Sequence, residues 1–390
     1  QELLSVPDGF TVHPKLVKQL EQRREALEKP DGQIFWSHAE TLAFASLLTE
    51  GIPIRLTGQD TERGTFPQRH LVLHDPKTGQ EHCAIQHLPG ALAPMELHNS
   101  PLSEMAPLGF EYGYSQEGPE TLVLWEAQFG DFANGAQVII DQFITPGLAK
   151  WGQTSRLTLL LPHGYEGSGP EHSSARLERF LQLAAEGNIR IANCTTPAQY
   201  FHLLRRQARI AKQRPLVIMT PKSLLRLPQA TSRLEELSEG RFRPVLGDPS
   251  VADPSAVTRL VLCSGKIYYD LAGHESRAAN PTVAIGRVEL LYPFPQSEIL
   301  ELAAAHPSLK EVVWVQEEPR NMGARAYMSP RLLQVLPEQL EFGYIGRPER
   351  AASGEGYPIA HAIEQNRIVS TALNAAEPVS QYPRTLPGER

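Results

Sequence analysis

Three cysteines are few for 390 residues, and Cys83, Cys194 and Cys263 lie far apart with no CxxC pair. That argues against a disulfide framework and a structural zinc site, and it fits a reducing compartment. Basic excess is also missing: 37 Lys and Arg face 44 Asp and Glu, a formal charge of −7. Such a chain has little with which to neutralise a phosphate backbone, so nucleic acid is not an expected partner. No apolar run approaches the roughly 20 residues that a membrane helix needs, and the longest, such as Leu157 to Leu161, are strand-sized. No signal-like segment opens the chain, so a soluble, cytoplasmic protein with no membrane partner is expected. HExxH, GxSxG and Walker motifs are absent, and His274-Glu275 lacks a second histidine. Zinc-hydrolase, serine-nucleophile and kinase chemistries therefore have no support. Residue 1 is Gln, and a longer parent protein is the expectation.

What is present is an ordinary globular composition, 41% apolar and 21% charged, long enough for two or three domains. Residues 1–33 read as a connector, with a charged helical run from Lys15 to Lys29 and a Pro30-Asp31-Gly32 turn. From Ile34 the pattern changes: Ser37-His38-Ala39-Glu40 has the form of a capping box before a helix. Apolar segments at Ile54 to Leu56, Leu122 to Trp125, Leu157 to Leu161, Ile189 to Ala192 and Leu216 to Met219 then read as buried strands. Helical patterns separate them, clearest at Leu177, Phe180, Leu181 and Ala184, and Thr196-Pro197 opens another. Such alternation predicts an α/β chain whose mainly parallel sheets carry helices on both faces and place ligands at the carboxyl ends of the strands. A domain over 34–228 is expected, then a polar linker over 229–257, then a smaller α/β domain over 258–390 with strands near Leu260, Val283 and Val312. The proline-rich tail from Pro378 is expected to be mobile.

Three segments carry candidate chemistry. The run from Leu157 to Arg176 reads as a strand, a glycine-rich loop and a helix start, but Gly167-Ser168-Gly169 lacks the third glycine of a dinucleotide fingerprint. It leaves two histidines, His163 and His172, on one loop. A histidine in the first helical turn feels the positive end of the dipole, which lowers its pKa and favours neutral imidazole, suited to proton transfer or anion binding. In Leu124 to Phe143, Phe129 and Phe132 stand at i and i+3, a spacing that favours the core over a stacking platform. In Asn99 to Met105, Glu104 precedes a helix, where a carboxylate complements the dipole or serves a site.

Taken together, these segments resemble the thiamine-diphosphate-dependent, decarboxylating first component of 2-oxoglutarate dehydrogenases. The matching phrases include Arg55 to Asp60, Leu102-Ser103-Glu104, Phe110 to Tyr114, Trp125 to Phe132, His163 to Gly167 and His172 to Arg176. Pro221 to Arg226, Cys263 to Lys266, Leu291 to Pro295, Gln316 to Pro319 and Gly346-Arg347-Pro348 continue the likeness, which runs from about Pro7 to Val369. The resemblance implies a pyrimidine-binding domain followed by a transketolase-like C-terminal domain. It makes Glu104 the glutamate that bonds a ring nitrogen of the cofactor's aminopyrimidine, and Phe132, ahead of Phe129, the ring against which the pyrimidine stacks. His172 and His163 would hold the 2-oxo acid or move protons around the carbanion formed on decarboxylation.

The family's diphosphate-binding domain, with its Gly-Asp-Gly motif and magnesium ligands, has no counterpart here, since Gly247-Asp248 is followed by Pro249. The chain thus resembles a C-terminal portion, predicted inactive alone, whose metal ligands lie in an upstream region. Implied for the complete enzyme are thiamine diphosphate with Mg2+, a homodimer, and succinyl transfer to a lipoyl-bearing succinyltransferase partner in the tricarboxylic acid cycle. Two rival expectations are a relative acting on 2-oxoadipate or releasing the semialdehyde, and a non-catalytic scaffold subunit. Retention of Glu104, His163 and His172 weighs against the scaffold.

Overall fold

The computed structural model describes residues 2–29 and 31–377. The expected tail from Pro378, and Pro30 of the expected turn, lie outside them. Among the described residues, fourteen strands follow in chain order: β1 (Ile54–Gly58), β2 (Leu73–His74), β3 (Glu81–His82), β4 (Met95–Asn99), β5 (Leu122–Glu126), β6 (Thr158–Pro162) and β7 (Arg190–Ala192). After them come β8 (Leu216–Thr220), β9 (Val245–Leu246), β10 (Arg259–Cys263), β11 (Val283–Val288), β12 (Leu290–Tyr292), β13 (Glu311–Pro319) and β14 (Glu341–Arg347). They build a seven-stranded sheet in the order β12-β7-β8-β6-β5-β1-β4 and a five-stranded sheet in the order β14-β13-β10-β11-β9, with β2 and β3 as a small hairpin. Both large sheets are parallel except at one edge, where β12 runs against β7 and β9 against β11. This is the α/β architecture of parallel sheets between helices that the alternation predicts.

The two lobes exchange edges. β9, at Val245, caps the second sheet, while β12, beyond that sheet's β11, returns to close the first. One apolar cluster runs through both, from Leu108 and Trp125 by way of Val245 and Val288 to Trp314 and Phe342. Continuous apolar strands explain the parallel sheets: every residue of β5, β6 and β10 is buried.

Local chemistry departs from expectation at the first helix of the large sheet. It spans Trp36–Thr49 with Phe35 at the N-cap, so Ser37 lies inside it and the capping box does not form. Glu40 is drawn elsewhere, to the fully buried Arg69, whose Nε donates to Oε1 at 2.6 Å. The same guanidinium gives two hydrogen bonds of 2.7 Å to Glu126, at the end of β5, and one of 3.0 Å to the carbonyl of Thr61. Tyr200 donates to Glu40 at 2.7 Å and brings in the Pro197–Arg209 helix. That helix starts as predicted, with Thr196 Oγ1 accepting from the amide of Gln199.

Removing one member of this network strands buried charge. Arg69→Met is expected to lower the unfolding free energy by about 3–5 kcal/mol, measured by urea denaturation. Adding Glu40→Gln and Glu126→Gln to it should recover part of that loss, because the stranded carboxylates are then gone.

Candidate active site

The carboxyl ends of β1, β4, β5, β6 and β8 lie along one edge of the large sheet, and the loops that leave them carry the candidate residues. Glu104 stands at the N-cap of the Met105–Glu117 helix, yet its side chain bonds none of the first-turn amides. It turns instead to Gln59, just beyond β1, whose Nε2 donates to Oε1 at 3.0 Å. Facing Oε2 is Gly135, where a Cβ would stand 2.8 Å from that oxygen and would push the carboxylate aside. Gln59 Oε1 is buried without a hydrogen-bond partner. The notch between Glu104 and Gln59 thus offers acceptors and calls for donors.

Phe129 and Phe132 follow β5, the first at the N-cap of a 3-10 segment, Gly130–Ala136, and the second inside it, and both are half-buried rather than part of the core. The i, i+3 spacing does not fold into an amphipathic α-helix here, which is why the core expectation fails. Phe129 packs edge-on against Phe132 at 5.8 Å and Phe66 at 5.6 Å, and its ring lies 4.3 Å from that of His172. Gly130 permits the turn: a Cβ there would stand 2.4 Å from the Cβ of Ala175.

The two histidines have different surroundings. His163, just beyond β6, is buried, with both ring nitrogens engaged: Nδ1 accepts from the amide of Ala175 at 3.1 Å, and Nε2 bonds Glu318 Oε1 at 2.9 Å. An Nδ1 that accepts carries no proton, so the proton sits on Nε2 and is donated to Glu318. Burial alone would push this imidazole's pKa down, but the hydrogen bond and charge of Glu318, with Glu317 behind it, raise it. The Ala175 amide opposes that second proton, because it already occupies the lone pair that would receive it.

His172 closes a three-residue 3-10 turn, Pro170–His172, and the next α-helix begins only at Leu177. His172 therefore does not stand in the first turn of an α-helix, and no helix dipole acts on its imidazole. Its carbonyl accepts from Lys222 Nζ, and its Nδ1 is buried with no partner. It lines a cavity of about 400 Å³ together with Phe129, Glu166, Ser168, Lys222 and Arg226. Lys222 is buried, which pushes its pKa down against the charges of Glu166 and Asp131. Burial likewise raises Asp131 to about 6, opposed by His163, Arg176 and Lys222, and its Oδ1 has no partner.

The structure thus links Glu104 through the Gly130–Ala136 loop to Phe132, Phe129 and His172, and sets His163 behind them. Sequence reasoning assigned no role to Gln59, Asp131, Lys222 or Glu318. Each stands within a phrase that carries the resemblance, but no local spacing ties Glu318 to a histidine 155 residues away.

A family model described as the transketolase pyrimidine-binding domain matches residues 32–228, and one described as the 2-oxoglutarate dehydrogenase C-terminal region matches residues 231–373. A Geobacillus kaustophilus protein named 2-oxoglutarate dehydrogenase E1 component is 56% identical over 97% of this chain and 40% of its own length. Proteins of the same name from Bacillus subtilis and Bacillus cereus are 56% and 54% identical, each over 95% of this chain and 40% of its own length. The chain spans 40% of the length of the curated relatives it matches.

The geometry at His163 predicts its own test. Spectra of 15N-histidine-labelled protein at pH 7 should show His163 as the Nε2–H tautomer. Glu318→Leu should strand that donor and destabilise the fold by about 1–3 kcal/mol in urea titrations, while the Ala175 amide on Nδ1 keeps the Nε2–H tautomer.

Proposed function

We propose, on the premise that this chain belongs to the transketolase pyrimidine-binding family and carries the 2-oxoglutarate dehydrogenase C-terminal region, that it supplies half of a thiamine-diphosphate active site. In the complete enzyme that site decarboxylates 2-oxoglutarate and passes the succinyl group to a lipoyl-bearing partner protein, in the cytoplasm. The observation that carries this reading is the Glu104 notch: a carboxylate fixed at Oε1 by Gln59, approached by Gly135 at Oε2, and set beside half-buried phenyl rings.

The residues fit an aminopyrimidine. Gln59 Oε1 is an orphaned acceptor for an exocyclic amino group, Glu104 Oε2 can exchange a proton with a ring nitrogen, and Phe132 or Phe129 gives a face for the ring. When bound, thiamine diphosphate supplies a nucleophilic thiazolium carbon and an electron sink for loss of carbon dioxide. Around it, His172 lines the cavity with its Nδ1 buried and unpartnered, and Lys222 and Arg226 give that cavity the positive charge a dicarboxylic 2-oxo acid requires. His163, saturated by Ala175 and Glu318, acts as a positioning residue that holds the loop from His163 to Ala175 in place. Diphosphate and Mg2+ ligands are assigned to a region upstream of 34–228, with 258–377 as a transketolase-like second domain.

A second polypeptide completes the site in this reading. Leu102 and Phe110, on either side of Glu104, are 86% and 60% exposed, and Phe143 and Trp151, with ring centres 5.9 Å apart, are exposed as well. Apolar surface of this kind is characteristic of an interface, and a homodimer is the proposed occupant.

The test uses the complete polypeptide and this chain side by side. Thiamine diphosphate with Mg2+ should bind, and 2-oxoglutarate should be decarboxylated, only when the upstream region is present. Glu104→Gln in the complete polypeptide should lower kcat by about 10²–10⁴-fold while leaving the fold intact by circular dichroism. Unchanged turnover in that variant would overturn the assignment.

A further inference from the structure

The Gly346-Arg347-Pro348 motif belongs to a part of the second lobe that the proposed reaction does not use. Here a cavity of about 270 Å³ opens at the carboxyl ends of β13 and β14, the position where parallel sheets take ligands. Arg320, Tyr344, Arg347, Glu364 and Arg367 line it.

These side chains differ in how far they are satisfied. Arg347 is committed, with Nε to Glu355 at 2.7 Å and Nη1 to the carbonyl of Glu317 at 2.6 Å and to Gln365 at 3.0 Å. Arg367 divides itself between Glu364 and the carbonyl of Gly346, both at 2.9 Å, and remains partly exposed. Arg320 is different. Among the described residues its side chain makes no ion pair, and its buried Nε has no hydrogen-bond partner. Its guanidinium rests 5.4 Å from the centre of the Tyr344 ring, and Arg325 lies 5.1 Å from the same centre. The Tyr344 hydroxyl is itself buried without a partner. Burial raises that phenol's pKa, as does the charge of Glu318, while Arg325, Arg320 and Arg367 act against them. Two buried donors and three guanidiniums therefore surround a cavity in which Glu364 is the acid.

We propose that this cavity binds a phosphoryl group, as free phosphate or as a small phosphate ester, with Arg320 and the Tyr344 hydroxyl as donors and Arg367 as the flanking charge. A planar guanidinium pairs two oxygens of an oxyanion at once, and the phenol and the second guanidinium provide for a third, which a carboxylate does not have. The volume leaves room beside the phosphoryl group for a small organic body. The site is independent of the thiamine reading, and nothing in its test requires that cofactor.

The experiment is a calorimetric titration of this chain with inorganic phosphate and, separately, with phenyl phosphate, at constant chloride and with no other oxyanion. Saturable one-to-one binding is expected, weakened roughly tenfold or more by Arg320→Gln through loss of a charge-assisted pair. Tyr344→Phe keeps the ring and removes the hydroxyl, so it should weaken binding severalfold, whereas Arg24→Gln, on an exposed helix face, should leave it unchanged. Tighter binding of phenyl phosphate would support an ester as ligand, and equal affinity would support phosphate itself. Absence of saturable binding for both probes overturns the proposal. So does binding that folded Arg320→Gln and Tyr344→Phe variants both leave unaltered.

Discussion

A guanidinium buried beneath the carboxyl ends of the large sheet sets the positions from which the candidate site is built. Arg69 is 1% exposed and joins Glu40 of the first helix, Glu126 at the tip of β5 and the carbonyl of Thr61 beyond β1. Tyr200 ties a further helix to the same carboxylate. A charge cannot be left alone at such depth, so these four elements have little freedom to shift against one another. The site residues leave from those anchors. Gln59 lies two residues before Thr61, and Phe129 three residues after Glu126. Well-packed apolar residues can match a buried ion network in stability, so what the network adds is direction: each carboxylate has one place to be.

The second lobe supplies the other half of this constraint. Glu318, in β13, reaches His163 at the end of β6, and the Arg347 guanidinium lies 5.2 Å from the centre of the Tyr165 ring. The amide of Gly323 donates to Glu178 at 2.9 Å, and Ser353 donates to the carbonyl of Pro170 at 2.5 Å. The glycine-rich loop from His163 to His172 is thus held from both sides. Together with the exchanged edge strands and the shared apolar cluster, these contacts make the lobes one packed unit, and a disturbance in β13 is felt at the loop.

Much of this was legible in the sequence, and the failures have physical causes. Strands buried on both faces read as continuous apolar runs, so β1, β5, β6, β8 and β10 were visible, as was the helix that Thr196-Pro197 opens. β4 and β14 were not, because Met95–Asn99 and Glu341–Arg347 mix polar with apolar residues and break the run. β12 was hidden for another reason: only tertiary structure tells that Leu290–Tyr292 pairs with β7. The pattern Ser37 to Glu40 satisfied a local rule and lost to a long-range charge, since Arg69 needs Glu40 more than a helix amide does. At the site, Glu104, Phe132 and His172 were reached by resemblance to a family. Glu318 was not, because hydrogen bonds between distant segments leave no periodicity.

The contrast between the histidines follows from this arrangement. An imidazole with an amide on Nδ1 and a carboxylate on Nε2 has no orbital left for a substrate, and its energy lies in the order it imposes on the loop. One with a buried, unpaired Nδ1, held instead by its ring contact with Phe129 and through its carbonyl by Lys222, lines the cavity with hydrogen-bonding capacity unspent. Both are needed if a flexible glycine-rich loop is to present one nitrogen reproducibly, since position must come from groups that do not themselves react. The same logic applies to Glu104, where Gln59 holds one oxygen and leaves the other free. A carboxylate half in water is still poorly placed to exchange a proton with a bound base, because water competes at the free oxygen. In the proposed homodimer, the exposed apolar residues around it would give the second polypeptide a surface from which to exclude that water and raise the worth of every charge inside.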